Sequence, residues 1–259
     1  MKEFNIKTFE RKILADTLTP VSVYLKIRDH FPNALLLESS DYHANDNSFS
    51  YICFNSIADI KIQNNELIET FPDKTERVTQ INESVSIPEK IDNYIKSFKT
   101  NSNNHKFINN GLFGYISYDS IKFFESVKTD KQLKNIEIPE LFYAVYQNIV
   151  AINHFNNEAF LFCNCFNNKS NLQEIEQLLT VKNFANYQFT KIGNRKSAIS
   201  DEEYKNLVTK AKKHCQRGDV FQLVLSRRFS QNFKGDDFNL YRALRTVNPS
   251  PYLFYFDYG

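Results

Sequence analysis

Only a few residues in this chain stand at spacings from which chemistry can be built. Cys163 and Cys165 lie two apart in an apolar run that reads as a strand, so their side chains share a face. A zinc site takes about four ligands, and no second Cys or His pair stands at ligand spacing, so buried thiols are expected. The histidines His30, His43, His105, His154 and His214 form no helical ligand pair, and His214 reads as a cation facing a helix C-terminus. Ser39-Ser40-Asp41-Tyr42-His43 contains the residue types of a hydrolytic triad. Triads are gathered from distant segments, however, and no G-x-S-x-G elbow occurs. Gly111-Leu112-Phe113-Gly114 is half of a dinucleotide fingerprint, with no third glycine, and reads as a packing pair. The basic residues Lys210, Lys212, Lys213, Arg217, Arg227 and Arg228 read as a solvated helix end and edge.

Two features resist a purely structural reading. Glu38-Ser39 closes an apolar run with a carboxylate and a hydroxyl, a hydrogen-bonding pair at the rim of a core where the polar end of a ligand is readily held. Asn248-Pro249-Ser250-Pro251-Tyr252 carries two prolines, each without an N–H and each pressing its predecessor toward extended geometry. The segment is stiff, and its remaining backbone groups need partners outside a regular ladder.

The elements that must hold these residues follow from pattern. Thr19-Pro20 starts a helix running to about Phe31, and Ala34 to Glu38, Phe49 to Phe54 and Ile57 to Ile62 read as strands. Pro88 to Phe98 reads as a helix between polar connections at Asp73 to Ser86 and Ser97 to Asn104. Val145 to His154 and Glu158 to Phe166 read as a hairpin turned at Asn156-Asn157, a pair tolerant of positive φ. Ser200 and Glu203 form a capping box for a helix over Asp201 to Arg217, stopped by Gly218. A strand over Val220 to Phe229, a helix over Phe238 to Val247 and a strand over Tyr252 to Tyr258 complete the chain. Strand groups with interspersed helices and few crossover signals give an α+β fold with mainly antiparallel β-sheets flanked by helices.

Composition excludes several classes. The 259 residues suffice for one large domain or two ordinary ones, and a net charge of +2 gives no electrostatic case for nucleic acid. Six glycines, where average usage gives roughly 18, leave little for glycine-rich phosphate loops. Four scattered cysteines make no disulfide framework, and the charged start lacks an apolar signal region, so a cytoplasmic protein without membrane spans is expected.

Taken in order, several segments resemble one family: Leu14 to Ser22 (LADTLTPVS), Leu36-Leu37-Glu38-Ser39, Gly111 to Tyr115 with Tyr118-Asp119 and Phe124-Glu125, Gly218 to Phe229 (GDVFQLVLSRRF), and Tyr241 to Leu244 with Asn248 to Tyr252. Together they are similar to component I of anthranilate synthase across nearly the whole chain. The resemblance implies the N-terminal part of that enzyme, with a tryptophan-binding regulatory region over 1–190 and the start of a chorismate-binding catalytic domain over 191–259. It implies conversion of chorismate and ammonia to anthranilate and pyruvate, ammonia coming from a glutamine amidotransferase, component II. It also implies feedback inhibition by L-tryptophan held at Ser39, Pro251, Tyr252 and Leu253, with Glu38 and Asn248 beside them. Leu253 stands where the family commonly has Met. The family's catalytic and Mg²⁺-binding segments correspond to sequence beyond Gly259, so no catalytic or metal residue is expected here and the chain alone is expected to be inactive. An aminodeoxychorismate synthase component I fragment and a stand-alone amino-acid-binding module are the alternatives.

Overall fold

A computed structural model describes residues 2–39, 48–101, 105–127 and 138–258. These fall into two compact units, Met1–Ala185 with Pro249–Gly259, and Asn186–Asn248. The first holds the strands β1 (Phe4–Leu14), β2 (Leu35–Ser39), β3 (Phe49–Gln63), β4 (Glu66–Thr70), β5 (Glu76–Gln80), β6 (Phe98–Thr100), β7 (Leu112–Ile116), β8 (Leu141–Asn153) and β9 (Glu158–Cys165). Its helices are α1 (Pro20–Ile27), α2 (Ile87–Lys96) and α3 (Leu172–Thr180). The second unit holds β10 (Phe189–Ser197), α4 (Asp201–Arg217), β11 (Phe229–Gly235) and α5 (Phe238–Val247), and the last strand, β12 (Tyr252–Phe256), returns to the first.

The long antiparallel pair β3 and β8 is the spine of a ten-stranded sheet ordered β12-β2-β3-β8-β9-β1-β6. At one end of the spine β2 and β9 continue the sheet; at the other β4, followed by β5, and β7 do so. The change of partner coincides with a shift of register between Ser56 and Ala58, next to Asn55 at φ +60°. Asparagine tolerates that left-handed geometry, and the irregularity bends the spine so that its two ends serve different layers. Where two strands were expected, over Phe49 to Phe54 and Ile57 to Ile62, one bent strand runs through. Two apolar cores follow from the branching. One gathers Leu35, Cys53, Tyr146, Ile149 and Phe162; the other gathers Ile60, Ile62, Leu67, Ile87, Tyr94 and Leu141 beneath α2.

The sheet is mixed: β1 runs parallel to β6, pairing Phe4 with Phe98 and Ile6 with Thr100, while the other ladders are antiparallel. Part of the Ser97 to Asn104 connection is therefore strand, because the buried residues Phe4 and Ile6 need a neighbour on that side. The helix starts stand as read. Thr19 accepts from the Ser22 N–H with Pro20 behind it, and Ser200 and Glu203 close a reciprocal capping box. The hairpin turn has Asn157 at φ +52°. Gly114 is a packing glycine, since a Cβ there would lie 1.9 Å from the Phe142 carbonyl oxygen.

One expectation is corrected. Val220 to Phe229 is not a strand: β11 begins only at Phe229 and pairs with β10, and Phe221 and Val224 stay exposed, because among the described residues no strand lies beside that run. The pairing of β12 with β2 carries Pro249–Gly259 back into the first unit.

Candidate functional site

The two segments singled out by sequence meet as neighbouring strands. Among the described residues β12 forms an edge of the sheet, and it pairs antiparallel with β2, which sets Tyr252 opposite Ser39, Leu253 opposite Glu38, Phe254 opposite Leu37 and Phe256 opposite Leu35. Directly opposed residues project from the same face and successive residues from opposite faces. Ser39 and Tyr252 therefore share one face, Glu38 and Leu253 the other. Glu38 and Ser39, a single hydrogen-bonding pair by sequence, are divided by the pleat.

On the Ser39 face the strand ends are aromatic and open. Tyr252 is 73% exposed and Phe254 64%. Deeper along the same face, Phe256 packs on Tyr115 and Tyr258, and the Tyr258 ring meets Phe142 at 4.4 Å. Burial pushes the hydroxyls of Tyr146 and Tyr258 above the usual tyrosine range, so both stay neutral. On the other face α1 lies over β2 and β3, with the rings of Tyr24 and Tyr255 edge to face at 5.5 Å. Glu38 is 7% exposed there. One residue beyond the Leu37–Tyr51 pair of β2 and β3, Glu38 falls opposite Ser50, whose buried hydroxyl is 2.7 Å from His154 Nε2.

Of the remaining residues expected at the site, Pro251 is exposed and leads directly into β12, where its fixed φ suits entry to a strand. Asn248 belongs to the second unit, where it ends α5 and donates its N–H to the Leu244 carbonyl at 2.9 Å. The β2–β12 pairing brings together Glu38, Ser39, Tyr252 and Leu253, and does not include Asn248. Ser40 to His43, which complete the triad-like run, lie outside the described residues. Ser50 and His154 were not anticipated: neither stands in a motif, and only the β3–β8 ladder, pairing Ser50 with Ile152, brings them together. Among the described residues no group of three or more His, Cys, Asp or Glu is placed to hold a metal ion, and no helix is long and apolar enough to cross a membrane.

Residues 33–259 match the family model described as chorismate binding enzyme. The chain belongs to that family. Among similar members of the chorismate-binding family, anthranilate synthase component 1 of Lactococcus lactis is 26% identical over 96% of this chain and 54% of its own length. The Aquifex aeolicus protein of the same name is 28% identical over 99% of this chain and 54% of its own. The crystal structure of anthranilate synthase component I from Streptococcus pneumoniae superposes with a TM-score of 0.60 at 22% identity, over 92% of this chain and 53% of that one, and shares its fold. The chain thus spans about half the length of the curated relatives it matches.

In this member of the family the second unit is open. Helix α4 has no buried residue although Tyr204, Val208, Ala211 and Cys215 fall on one face. With Leu223 and Leu225 that face lines an exposed groove of about 440 Å³.

Proposed function

We propose that this chain is the N-terminal part of an anthranilate synthase component I and carries the tryptophan feedback site of that enzyme. In a family-length protein the reaction adds ammonia to chorismate and eliminates pyruvate to leave anthranilate. Ammonia is supplied by the glutamine amidotransferase component II, and Mg²⁺ is held by residues other than those described here. The location is cytoplasmic.

The reading is carried by one observation: Ser39 and Tyr252, from opposite ends of the chain, are direct cross-strand partners beside the exposed ring of Phe254. An aromatic amino acid needs an apolar surface for its ring and polar groups for its ammonium and carboxylate. Ser39 supplies a hydroxyl; Tyr252 and Phe254 supply rings; and an edge strand offers backbone groups that its single neighbour leaves unpaired. Leu253 in place of Met is an apolar exchange of similar volume that keeps the pairing. The component 1 relatives from two distant bacteria support the enzyme assignment over the aminodeoxychorismate synthase alternative.

The uncovered apolar face of α4 and its groove fit a catalytic half whose remaining elements pack there, and on that reading the chain alone does not turn over chorismate. In the complete enzyme, tryptophan and chorismate weaken each other's binding by the same factor.

The test exploits the absence of tryptophan from the sequence. The fluorescence of added L-tryptophan is then free of intrinsic Trp background, and calorimetry provides an independent measure. Saturable binding to the chain and its loss in Ser39→Phe are expected; in the family-length enzyme the same substitution removes inhibition and preserves ammonia-dependent activity. Inhibition unchanged by Ser39→Phe would overturn the site. Anthranilate formed by this chain alone from chorismate and ammonia would overturn the assignment of catalysis to elements beyond those described.

A further inference from the structure

Strand β9 carries a pair of groups that the proposed function does not use. Cys163 and Cys165 project from one face of β9, 0% and 1% exposed, with their sulfurs 2.9 Å apart. Unbonded carbon atoms settle at about 3.5–4.0 Å, and sulfur is larger, so nothing separates these two atoms. Two residues along an antiparallel strand advance about 6.8 Å, at the upper edge of the Cα separation of about 4.4–6.8 Å that a disulfide spans.

The surroundings are polar on one side. Asn171 Oδ1 lies 3.2 Å from the Cys163 sulfur, and Gln147 Nε2 donates to the same sulfur at 3.6 Å. The Cys165 thiol donates to the Lys169 carbonyl at 3.1 Å. Asn171 stands at the N-cap of α3 yet makes no side-chain cap; its amide is engaged with Asn148 and with Cys163 instead. Residues 166–170, immediately after Cys165, are exposed, so opening this short turn gives an oxidant access.

We propose that Cys163 and Cys165 are an oxidisable dithiol, a modification site at which a peroxide closes a reversible disulfide within β9. The Cys163 sulfur, toward which the Gln147 N–H points, attacks one peroxide oxygen; the O–O bond breaks, leaving a Cys163 sulfenic acid and one water. Cys165 then attacks the Cys163 sulfur, the S–S bond forms, the S–O bond breaks, and the displaced hydroxide takes the Cys165 proton as a second water. The two thiols together lose two protons and two electrons, and the peroxide is reduced to two waters. A bridge at the limit of allowed separation is strained, and strained disulfides are the readily reduced, regulatory kind. It also removes the S–H that faces Asn171 and so alters the contacts at the start of α3.

The experiment uses the full 259-residue chain carrying Cys215→Ser, which removes the exposed thiol. It is treated with hydrogen peroxide, alkylated after denaturation, digested and weighed. The peptide with Cys163 and Cys165 is expected to lack alkylation and to be lighter by two hydrogens, to revert on treatment with reduced glutathione, and to leave the buried Cys53 alkylated. Either Cys163→Ser or Cys165→Ser is expected to abolish the loss of two hydrogens. Alkylation of both cysteines after peroxide treatment sufficient to oxidise Cys215 in the parent chain would overturn the proposal. So would a bridge that resists glutathione, or a two-hydrogen loss that persists in Cys163→Ser. The parent measurement stands by itself should either serine variant fail to fold.

Discussion

Replacing Gly114 by alanine tests whether the floor of the Ser39 face is as tightly built as its geometry implies. Gly114 pairs with Tyr143 across β7 and β8, and an added Cβ would lie 1.9 Å from the Phe142 oxygen and 2.8 Å from the Phe142 carbon and the Tyr143 Cα. All three are backbone atoms, so no flexible side chain can swing away. Reaching ordinary contact at 3.4 Å requires the strands to part by about 1.5 Å, which carries a ladder hydrogen bond of about 2.9 Å well beyond bonding range. Overpacking costs about 1–3 kcal/mol, and the loss of one or two ladder bonds adds about 1 kcal/mol each. Gly114→Ala is therefore expected to destabilise the first unit by about 2–5 kcal/mol. Because Tyr115 follows immediately and stacks on Phe256, the substitution also loosens the aromatic floor behind Tyr252 and Phe254. Urea unfolding followed by far-ultraviolet circular dichroism measures the first effect, and hydrogen exchange across Leu112–Ile116 localises it. A loss below about 1 kcal/mol with unchanged exchange in β7 would refute the claim that this position has no room.

Further outcomes follow from particular contacts. Ser200→Ala removes one half of the α4 capping box and is expected to cost about 1 kcal/mol, read as faster exchange in the first turn of α4 with β1 to β9 unchanged. Arg77→Met strips the bidentate partner from Glu69, whose side chain is 0% exposed, and leaves a buried carboxylate uncompensated. A loss of about 1–3 kcal/mol is expected, below the cost of a fully buried pair because Arg77 is half-exposed. Hydrogen bonds from Lys2 and then Thr75 hold the Asp73 carboxyl at about 2, below its ordinary value. A depressed carboxylate contributes stability above its unfolded pKa and loses it as pH falls through the folded one. The Lys2–Asp73 contact is thus expected to persist at pH 4 and to vanish near pH 2, and carboxyl carbon NMR should show Asp73 titrating higher in Lys2→Ala.

Local signals were legible where a residue type has a single physical use. Thr19-Pro20, the Ser200 and Glu203 box, Gly218 at φ +77° and Asn157 at the hairpin each do what their side chains allow and stand where the sequence put them. The strand β1 was missed although its alternation is plain: Phe4, Ile6 and Thr8 are buried between exposed Asn5 and Lys7. Its outward positions are polar and charged, so composition does not mark the run and only its period of two does. Val220 to Phe229 failed for the opposite reason. An apolar run satisfies strand composition, but a strand exists only beside a partner, and composition carries no information about neighbours.

The candidate site shows the same limit more sharply. Motif reading selected Glu38-Ser39 and Asn248 to Leu253 as related, and β12 indeed lies against β2. What no motif conveys is the pleat, which turns Ser39 toward exposed aromatic rings and Glu38 toward α1. On the proposed reading this division decides which groups a bound amino acid meets. Its ring and one polar end can use the face of Ser39, Tyr252 and Phe254. A carboxylate there needs N–H donors; Pro249 and Pro251 have none, and β12, an edge strand among the described residues, offers alternate backbone groups turned away from β2. Glu38, buried on the opposite face with Ser50 and His154 in the neighbouring row, then acts on such a ligand through the strand that carries it rather than by sharing its pocket. The two residues of one dipeptide would thus influence the same ligand by different physical routes, one by contact and the other by fixing the position of the edge.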